Sequence, residues 1–274
     1  MLSMGIDIGG STTKIVGMDE NRKITDLFKV TAIDAVTSAY GAFGKFINKN
    51  GVKLSDIKNV YVTGVGSAFL GNDIYGIKLV KTDEFQCIGE GGLYLTGLSE
   101  AIVVSLGTGT AIVRAKDGKN EYLGGTGVGG GTLLGLSGLM LNVRNVESIS
   151  ELAANGDLSK VDLSIGDISK NNISILKPHA TAANFGKVSD LATKSDIALG
   201  ILNLVIQTAG MMAIFAARPA GINDIILTGN LTQISQIHPI KDDLASMFGI
   251  RFSVPDNAQF ATAIGAALNA VGEK

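Results

Sequence analysis

The sequence contains one order of elements twice, and this internal repeat constrains the fold more than any other feature. In the first copy, the apolar run Ser3–Ile8 leads into a turn of glycine and hydroxyl residues, from which a second apolar run, Thr12–Met18, returns. A polar turn and a third run, Ile24–Val30, complete the copy. Short apolar runs bounded by such turns predict β-strands joined by hairpins.

The second copy begins with the apolar run Ala101–Leu106, which ends in Gly107-Thr108-Gly109-Thr110. The run Ala111–Ala115 returns from that turn, and a polar turn at Asp117–Asn120 leads into a third strand that starts with Glu121–Leu123. Both copies therefore predict a strand, a hydroxyl-rich glycine turn, a strand, a polar turn and a third strand.

A second pair of matching segments follows the two copies. Residues 60–66, VYVTGVG, parallel residues 225–231, IILTGNL, and each leads to a further strand and a helix that contains an Ile-Gly pair. The pairs are Ile88-Gly89 and Ile264-Gly265. We therefore predict two similar α/β domains, residues 1–98 and 99–274, that face each other across a cleft, where ligands commonly bind. Helical spacing is predicted over 33–50, from 82–84 to 98, over 132–158 and over 181–217.

Composition and charge exclude several classes of protein. Hydrophobic residues make up 46% of the 274 residues and charged residues 18%, which is typical of a globular chain. The net charge of −2 and the lack of a basic tract argue against nucleic-acid and anionic-membrane partners. Polar residues interrupt the apolar stretch Ile197–Ala217, which favours a buried helix over a membrane span. We expect a soluble cytoplasmic protein.

The cysteine and histidine residues predict no separate catalytic or metal centre. A single cysteine, Cys87, excludes an internal disulfide and a multi-cysteine metal or iron–sulfur site within one chain, and we predict it to lie in the core. His179 and His238 lie beside prolines in predicted loops and are expected at the surface. Neither shows the spacing of a Ser-His-Asp triad or of metal ligands.

The segment DIGGSTTK, residues 7–14, is the first candidate phosphate site. Consecutive backbone amides and hydroxyls in a turn favour anions, and Lys14 adds a positive charge. Asp7 alone would repel phosphate, but a carboxylate can hold Mg²⁺ together with phosphate oxygens. With the facing turn Gly107–Thr110, this hairpin could hold a polyphosphate from two sides. An ordinary hairpin turn is the alternative for each. The sequence has neither a Walker pattern nor a dinucleotide-binding glycine pattern that opens a helix.

Two further segments carry glycines next to predicted elements. GGTGVGGGT, residues 124–132, precedes a helical pattern, and amides at a helix start predict an anion or nucleotide site; a linker or hinge is the alternative. LTGN, residues 227–230, ends a predicted strand. There Gly229 would let a purine or ribose lie against the backbone, and Asn230 could form a hydrogen bond with it.

Glu84 is the candidate general base. Phosphoryl transfer to a hydroxyl requires positioning, a metal and a group that accepts the hydroxyl proton. Glu84 follows the predicted strand Ile77–Lys81 at a helix start on the cleft side of the first domain. The alternative is that a glutamate in a first helical turn only stabilises the helix dipole. Asp83 is predicted to be the N-cap.

The motifs DIGGSTTK, SLGTGTA, GGTGVGGGT, TAANFG and LTGN occur in the order seen in type II pantothenate kinases, and nearly the whole chain resembles that family. The family belongs to the superfamily of acetate kinase, sugar kinases, heat-shock chaperones and actin. The resemblance implies two duplicated ribonuclease-H-like domains of the actin-like ATPase type. It also implies a homodimeric kinase that uses ATP and Mg²⁺ to phosphorylate the primary hydroxyl of pantothenate, the first step of coenzyme A biosynthesis.

The resemblance also implies roles for individual residues. Glu84 matches the general base, Asp7 the metal ligand, and Glu84, Thr108 and Tyr122 the substrate-binding positions. The implied cofactor-binding residues are Asp7, Gly9, Gly10, Ser11, Thr12, Thr13, Lys14, Thr108, Gly109, Gly129, Gly130, Gly131, Thr132, Leu133, Leu134, Gly229 and Asn230.

Two positions depart from the family pattern. Tyr122 stands where the family has a substrate-contacting arginine, and Ala111 stands where it commonly has serine. Pantothenate carries a carboxylate, so loss of an arginine removes a natural charge partner. Arg114 on the neighbouring strand is a candidate replacement.

Three other interpretations stay open at this point. Activators of radical dehydratases share openings like GIDIGGSTTK, but they hold an iron–sulfur cluster through several cysteines, and one cysteine argues against that class. A member of the same family that acts on another small alcohol, or that binds the nucleotide without catalysis, would keep the ATP site and have an altered acceptor site, as Tyr122 and Ala111 allow. A sugar kinase is a minor alternative, although the zinc motif of the repressor-type sugar kinases is absent.

Overall fold

The computed structural model describes residues 1–31, 34–171 and 173–272. The strands are β1 Leu2–Ile8, β2 Thr12–Met18, β3 Ile24–Thr31, β4 Ile57–Thr63, β5 Asp73–Ile74, β6 Ile77–Lys81, β7 Glu100–Leu106, β8 Thr110–Lys116, β9 Lys119–Thr126, β10 Leu163–Ser164, β11 Thr181–Ala183, β12 Asp224–Thr228 and β13 Arg251–Ser253. The helices are α1 Ala35–Asn50, α2 Glu84–Thr96, α3 Gly130–Leu141, α4 Val146–Ala153, α5 Ile165–Ile168, α6 Lys194–Ala217, α7 Ile237–Phe248 and α8 Ala261–Gly272.

Five strands of each large sheet share one topology, as the internal repeat predicts, and β5 is an additional strand of the first sheet that pairs antiparallel with β6. The first has the strand order β3-β2-β1-β4-β6-β5 and the second β13-β12-β7-β8-β9. In each, three consecutive strands pair antiparallel, and two later strands extend the sheet in parallel. A separate antiparallel pair, β10-β11, belongs to the segment between α4 and α6.

The helices form layers around the two sheets. The helix α1 covers one face of the first sheet and α8 the other. In the second sheet, α6 covers one face and α2 the other. The helices α2 and α8 therefore lie against each other between the sheets, where Gly91 faces the Ala261 carbonyl and Gly265 faces that of Cys87. A side chain at either glycine would collide with the opposite backbone.

Helix packing crosses the predicted division at residue 98. That division separates the strands of the two sheets, but α2, from the first half, packs on β7, β8 and β9. In turn α8, from the end of the chain, packs on β1, β2 and β4. We infer two packed units, each consisting of one sheet, a helix from its own half of the chain on one face and a helix from the other half on the opposite face.

Several helix boundaries differ from the sequence prediction. The predicted first residue of the first helix, Ile33, lies outside the described residues; α1 begins at Ala35, and the N-cap Asp34 accepts a hydrogen bond from the Thr37 amide. The predicted helix over 132–158 is two helices, which separate at Asn142 with a φ of 59°. The prediction of a helix from residue 181 is wrong, because α6 begins only after the capping box of Thr193.

The apolar segment predicted to be a core helix forms α6, which has 24 residues. By length and composition it could cross a membrane, and it is the one helix in the described part of the chain that meets this test. However, 61% of its most apolar window is buried inside the protein. Ile201, Leu202 and Val205 are fully buried against the second sheet, as expected of a core helix.

Gly64 and Gly229 occupy equivalent positions after β4 and β12, with φ values of 85° and 91°. A Cβ atom would lie 2.6 Å from the Ile8 carbonyl oxygen at Gly64 and 2.5 Å from that of Leu106 at Gly229. The glycine of each duplicated Thr-Gly pair therefore allows the chain after β4 and after β12 to pass close to the backbone of the adjacent β-hairpin.

Replacing Gly229 with alanine is expected to destabilise the protein by about 3 kcal/mol, because the residue meets both an unfavourable φ and a backbone clash. Gly221→Ala is the matched control: its φ is 66°, but open space surrounds the position, so only about 1–2 kcal/mol is expected. Urea denaturation measures both variants. Equal losses would contradict the proposed clash with Leu106.

Candidate active site

A cleft of 660 Å³ lies between the turns of the two hairpins. It is lined by residues from both sheets, from the start of α2 and from the segment after β12. The lining residues are Asp7, Gly9, Gly10, Ser11, Thr12, Lys14, Val65, Glu84, Phe85, Ser105, Gly107, Thr108, Gly109, Thr110, Ala111, Tyr122, Gly125, Thr126, Gly127, Gly229, Asn230 and Thr262. Most of the predicted cofactor-binding residues and all three predicted substrate-binding residues thus share one cavity.

The first hairpin presents a buried ion pair at the base of its turn. Asp7 and Lys14 are directly opposite in the β1–β2 register, so both side chains point to the same face. The Lys14 Nζ lies 3.3 Å from Asp7 Oδ2, and each side chain is 8% exposed. The turn is closed by the Gly9 amide, which donates to the Thr12 carbonyl over 3.0 Å. This hairpin therefore combines a cation, a carboxylate and a glycine turn at one end of the cleft.

Thr13 is the exception among the predicted residues of this hairpin. It is fully buried and does not line the cleft, although Thr12 and Lys14 on either side of it do. Successive side chains of a strand point to opposite faces, so Thr13 faces away from its neighbours. The structure thus corrects the expectation that its hydroxyl faces a phosphate.

The second hairpin is built like the first, but it lacks the charges and its turn is one residue shorter. Ser105 and Ala111 occupy the register positions of Asp7 and Lys14, and the turn closes from the Gly107 amide to the Gly109 carbonyl over 2.9 Å. The turns approach each other closely, since a Cβ atom on Gly10 would lie 3.2 Å from the Thr108 hydroxyl. Backbone amides and hydroxyl groups of both hairpins therefore face the cleft, whereas only the first hairpin contributes charged side chains.

Asn230 links the two halves across the cleft. Its Nδ2 donates a 3.0 Å hydrogen bond to the Thr12 hydroxyl. Its Oδ1 is buried and has no hydrogen-bond partner among the described residues. A buried acceptor without a donor is unfavourable, so an N–H or O–H group from water or from a ligand in the cleft would stabilise this oxygen.

Glu84 lies in the first turn of α2, beside the first hairpin. Asp83 is the helix N-cap, as predicted, and its Oδ1 accepts a 2.8 Å hydrogen bond from the Gln86 amide. Burial raises the pKa of the Glu84 carboxyl above its ordinary value of 4.5. The negative charges of Asp7 and Asp83 raise this pKa further, and Lys14 opposes them. A carboxylate with a raised pKa is a stronger proton acceptor than an exposed one.

The glycine-rich segment 124–132 differs from its predicted role. The first amides of α3 are occupied: Gly130 donates to the Gly107 carbonyl and Gly131 to that of Thr108, each over 2.8 Å. These two amides are therefore not free to bind an anion, which corrects the expectation for them, while the nucleotide-binding role of the rest of the segment stays a prediction. The segment is not a linker either, because it forms the end of β9 and the start of α3.

Glycine is needed in this segment for close packing. A Cβ atom on Gly129 would lie 2.7 Å from the Gly109 Cα, so backbone rests on backbone. Gly125, Thr126 and Gly127 line the cleft, whereas Gly129–Leu134 do not, and Leu133 is fully buried in the core. The segment Gly129–Leu134, predicted to bind the nucleotide, thus packs against the backbone of the second hairpin.

Tyr122 lines the cleft, as predicted, and stacks on Phe85. No sequence pattern had indicated Phe85 as a site residue. The ring centroids are 4.0 Å apart and the ring planes differ by 16°. Arg114 does not replace the missing arginine, because its Nη2 pairs with Glu100 Oε1 over 2.8 Å and the residue does not line the cleft. Among the described lining residues, Lys14 is the only lysine or arginine.

The cysteine and histidines lie outside this site, as predicted. Cys87 is fully buried, and burial raises the pKa of its thiol to about 12. His179 is 59% exposed, its Nε2 lies 3.3 Å from Asp243 Oδ1, and it does not line the cleft. His238 is exposed as well, but the prediction of a loop there is wrong, because it lies in the first turn of α7. Within the described ranges, no group of three or more histidine, cysteine, aspartate or glutamate side chains could hold a metal ion by itself.

Comparisons with known proteins agree with this architecture. The family model described as Fumble matches residues 100–242. The type II pantothenate kinase of Bacillus thuringiensis subsp. konkukian (strain 97-27) is 29% identical over 99% of this chain and 99% of its own. That of Bacillus cereus (strain AH820) is 30% identical over 86% of this chain and 85% of its own.

Solved structures share the fold at low sequence identity. The activator of the 2-hydroxyisocaproyl-CoA dehydratase from Clostridium difficile, solved with bound ADPNP, matches with a TM-score of 0.72 and 20% identity. The match covers 99% of this chain and 94% of the activator. The fold prediction, two ribonuclease-H-like domains of the actin-like ATPase type, is confirmed. At this identity the likeness extends to the fold alone.

Proposed function

This chain belongs to the family of type II pantothenate kinases, and from that premise we propose that it transfers the γ-phosphoryl group of ATP to the primary hydroxyl of pantothenate. The observation that supports this proposal most strongly is the cleft itself. Two glycine hairpins face each other there, and a carboxylate with a raised pKa lies beside the charged one. Phosphoryl transfer depends mainly on positioning and on electrostatic stabilisation, and this arrangement supplies both.

In this proposal the phosphates of ATP lie between the hairpin turns. The amides and hydroxyls of Gly9–Thr12 and of Thr108–Gly109 surround the β- and γ-phosphates, and Lys14 stabilises negative charge on the transferring group. The nucleoside extends toward Gly229 and Asn230, where the unpartnered Oδ1 accepts a hydrogen bond from it. Gly129–Leu134 contribute by holding the second hairpin in place.

Glu84 acts on the acceptor. Its carboxylate takes the proton from the primary hydroxyl as the oxygen attacks the γ-phosphorus. The bond between the γ-phosphorus and the β–γ bridging oxygen breaks, and ADP leaves with that oxygen. Deprotonated Glu84 is required, so its raised pKa sets the lower pH limit of turnover.

The residues of the cleft fit a Mg²⁺ ion whose ligands are mainly phosphate oxygens of the nucleotide. Mg²⁺ typically binds one or two carboxylates together with phosphate oxygens and water, and Asp7 is a buried carboxylate at the phosphate end of the cleft. Bound there, the ion would neutralise phosphate charge. Asp7 would hold it directly or through water.

Replacing Asp83 with asparagine is expected to extend activity to lower pH. The negative charge of Asp83 raises the pKa of Glu84, so removal of that charge lowers this pKa and shifts the acidic limb of the kcat–pH profile downward. Asparagine caps a helix as well as aspartate does, so the melting temperature should stay unchanged. An acidic limb at the same pH as in the wild type would show that Glu84 does not control it.

We also propose that the protein forms a homodimer. Large apolar side chains are exposed in the second half of the chain, among them Leu139 at 84%, Leu191 at 82% and Phe215 at 59%. A second copy of the chain that packed on these segments would remove the side chains it covers from water. Light scattering after size exclusion would report a dimer, and a monomer would contradict this part. Use of ATP supports a cytoplasmic location.

A screen of acceptors tests the proposed reaction. ADP release is measured with ATP and Mg²⁺ plus pantothenate, pantetheine, glucose or a sugar alcohol, and without acceptor. Pantothenate is expected to raise ADP release well above the acceptor-free rate. If calorimetry shows ATP binding while no acceptor raises ADP release, the chain is instead a non-catalytic nucleotide-binding protein, the interpretation that Tyr122 and Ala111 had left open.

A further inference from the structure

We propose that the stacked rings of Phe85 and Tyr122 form the acceptor-specificity surface of the cleft and bind the branched apolar carbon next to the reacting hydroxyl. This inference rests on the proposed function. It adds one residue, Phe85, to the site and assigns Tyr122 a role other than that of the arginine it replaces.

The stack is built from two elements that meet only in the folded protein. Phe85 follows Glu84 directly in the first turn of α2, and Tyr122 lies in the middle of β9. The helix α2 packs on β9, which brings the rings to a centroid distance of 4.0 Å with an interplanar angle of 16°. Both residues line the cleft together with Glu84. The aromatic surface is therefore attached to the same helical turn as the proposed base.

The exposure of Tyr122 distinguishes a binding surface from ordinary packing. Tyr122 is 48% exposed, although one face of its ring is covered by Phe85. Two further lining residues, Ala111 and Val65, are also apolar, and Val65 is 67% exposed. Uncovered apolar surface inside a cleft is stabilised when a ligand with a matching apolar group displaces water from it.

The charges of the cleft determine which part of the acceptor can be recognised. Lys14 is the only lysine or arginine among the described lining residues, and it is paired with Asp7. The acceptor end carries the carboxylate of Glu84 and the two rings. A distant carboxylate on the acceptor finds no cation in this lining, which leaves the apolar part next to the hydroxyl as a source of selectivity.

Pantothenate has such an apolar part. Its primary hydroxyl is carried by a methylene group on a quaternary carbon that bears two methyl groups. The methyl carbons lie three bonds from the reacting oxygen, through the methylene and the quaternary carbon, so a hydroxyl within hydrogen-bond distance of Glu84 brings them toward the adjacent Phe85. A sugar has no methyl groups at this point but oxygen-bearing carbons, and the rings would leave those oxygens without hydrogen-bond partners.

The test compares pantothenate with its analogue that lacks both methyl groups, using product formation by the full-length protein. Burial of two methyl groups predicts a wild-type kcat/KM ratio of about tenfold in favour of pantothenate. Tyr122→Ala and Phe85→Leu should reduce this ratio toward one, mainly through the KM for pantothenate. Tyr122→Phe preserves the stack and should keep the ratio. The matched control is Tyr75→Ala, because Tyr75 is also a half-exposed tyrosine stacked on a phenylalanine, but it lies outside the cleft.

The acceptor ratio separates binding from a structural role of the stack. If Tyr122→Ala and Phe85→Leu slow both acceptors equally and leave the ratio at its wild-type value, the rings only pack α2 on β9 and the inference is overturned. A wild-type ratio near one overturns it too, while pantothenate kinase activity stands. If the wild type phosphorylates neither acceptor, the proposed function fails and takes the inference with it. Thermal melting verifies that each variant is folded.

Discussion

Replacing Glu84 with glutamine is expected to lower kcat for phosphoryl transfer to pantothenate by about 10²- to 10⁴-fold, the contribution usual for general-base catalysis. Glutamine keeps the size and hydrogen-bonding shape of the side chain but cannot take the hydroxyl proton. The dissociation constant for ATP should stay close to that of the wild type, because Glu84 lies at the acceptor end. Steady-state kinetics and calorimetry measure the two quantities. A kcat within about threefold of the wild type would contradict the assignment of the base.

The same variant should be more stable than the wild type above the pKa of Glu84. A carboxyl whose pKa is raised on folding contributes stability below its unfolded pKa, and this contribution is lost as the pH rises through the folded pKa. Glutamine has no charge to bury, so Glu84→Gln should melt at a higher temperature at pH 8, with the difference vanishing under acidic conditions. A lower melting temperature at pH 8 would show that the ionised carboxylate is stabilised by the fold.

Replacing Lys14 with methionine should have the second large effect, on both activity and stability. Loss of the positive charge at the phosphates is expected to reduce kcat/KM for ATP by at least about 100-fold. It also leaves the buried Asp7 carboxylate without its partner, which costs about 3–5 kcal/mol when a buried pair is broken. Steady-state kinetics and urea denaturation give the two values.

The double variant Asp7→Asn/Lys14→Met separates these two effects. With no charge left to bury, much of the lost stability should return, while activity should stay as low as in Lys14→Met. Recovery of activity together with stability would indicate that Lys14 serves only to neutralise Asp7. No recovery of stability would indicate that the 3.3 Å pair contributes little to the fold.

The parts of this site that could be predicted are those encoded within short segments. Asp7 and Lys14 are paired by a hairpin register, and the turn between them follows from Gly9 and Gly10 in the local sequence. The N-cap Asp83 and the helix that starts at Glu84 are equally local. The repeated order of elements then predicts two matching sheets, and the structure has them.

The parts that could not be predicted depend on packing between distant segments. The stack of Phe85 on Tyr122 exists only because α2 packs on the sheet of the other half, and no local pattern indicates which sheet a helix covers. The amides of Gly130 and Gly131 look free in the sequence, since their acceptors, the carbonyls of Gly107 and Thr108, are supplied by another hairpin. Glycine enrichment indicates close approach of backbone but not whether a ligand or the protein itself approaches.

The most direct test of the central claim is to detect the phosphorylated acceptor. The purified protein is incubated with ATP, Mg²⁺ and pantothenate, and products are quantified by mass spectrometry alongside Glu84→Gln and Lys14→Met. We predict one equivalent of phosphopantothenate for each ADP formed by the wild type, and strongly reduced amounts of both in the variants. ATP binding without any phosphorylated acceptor, or ADP formed without phosphopantothenate, would contradict the claim that this cleft is a pantothenate kinase site.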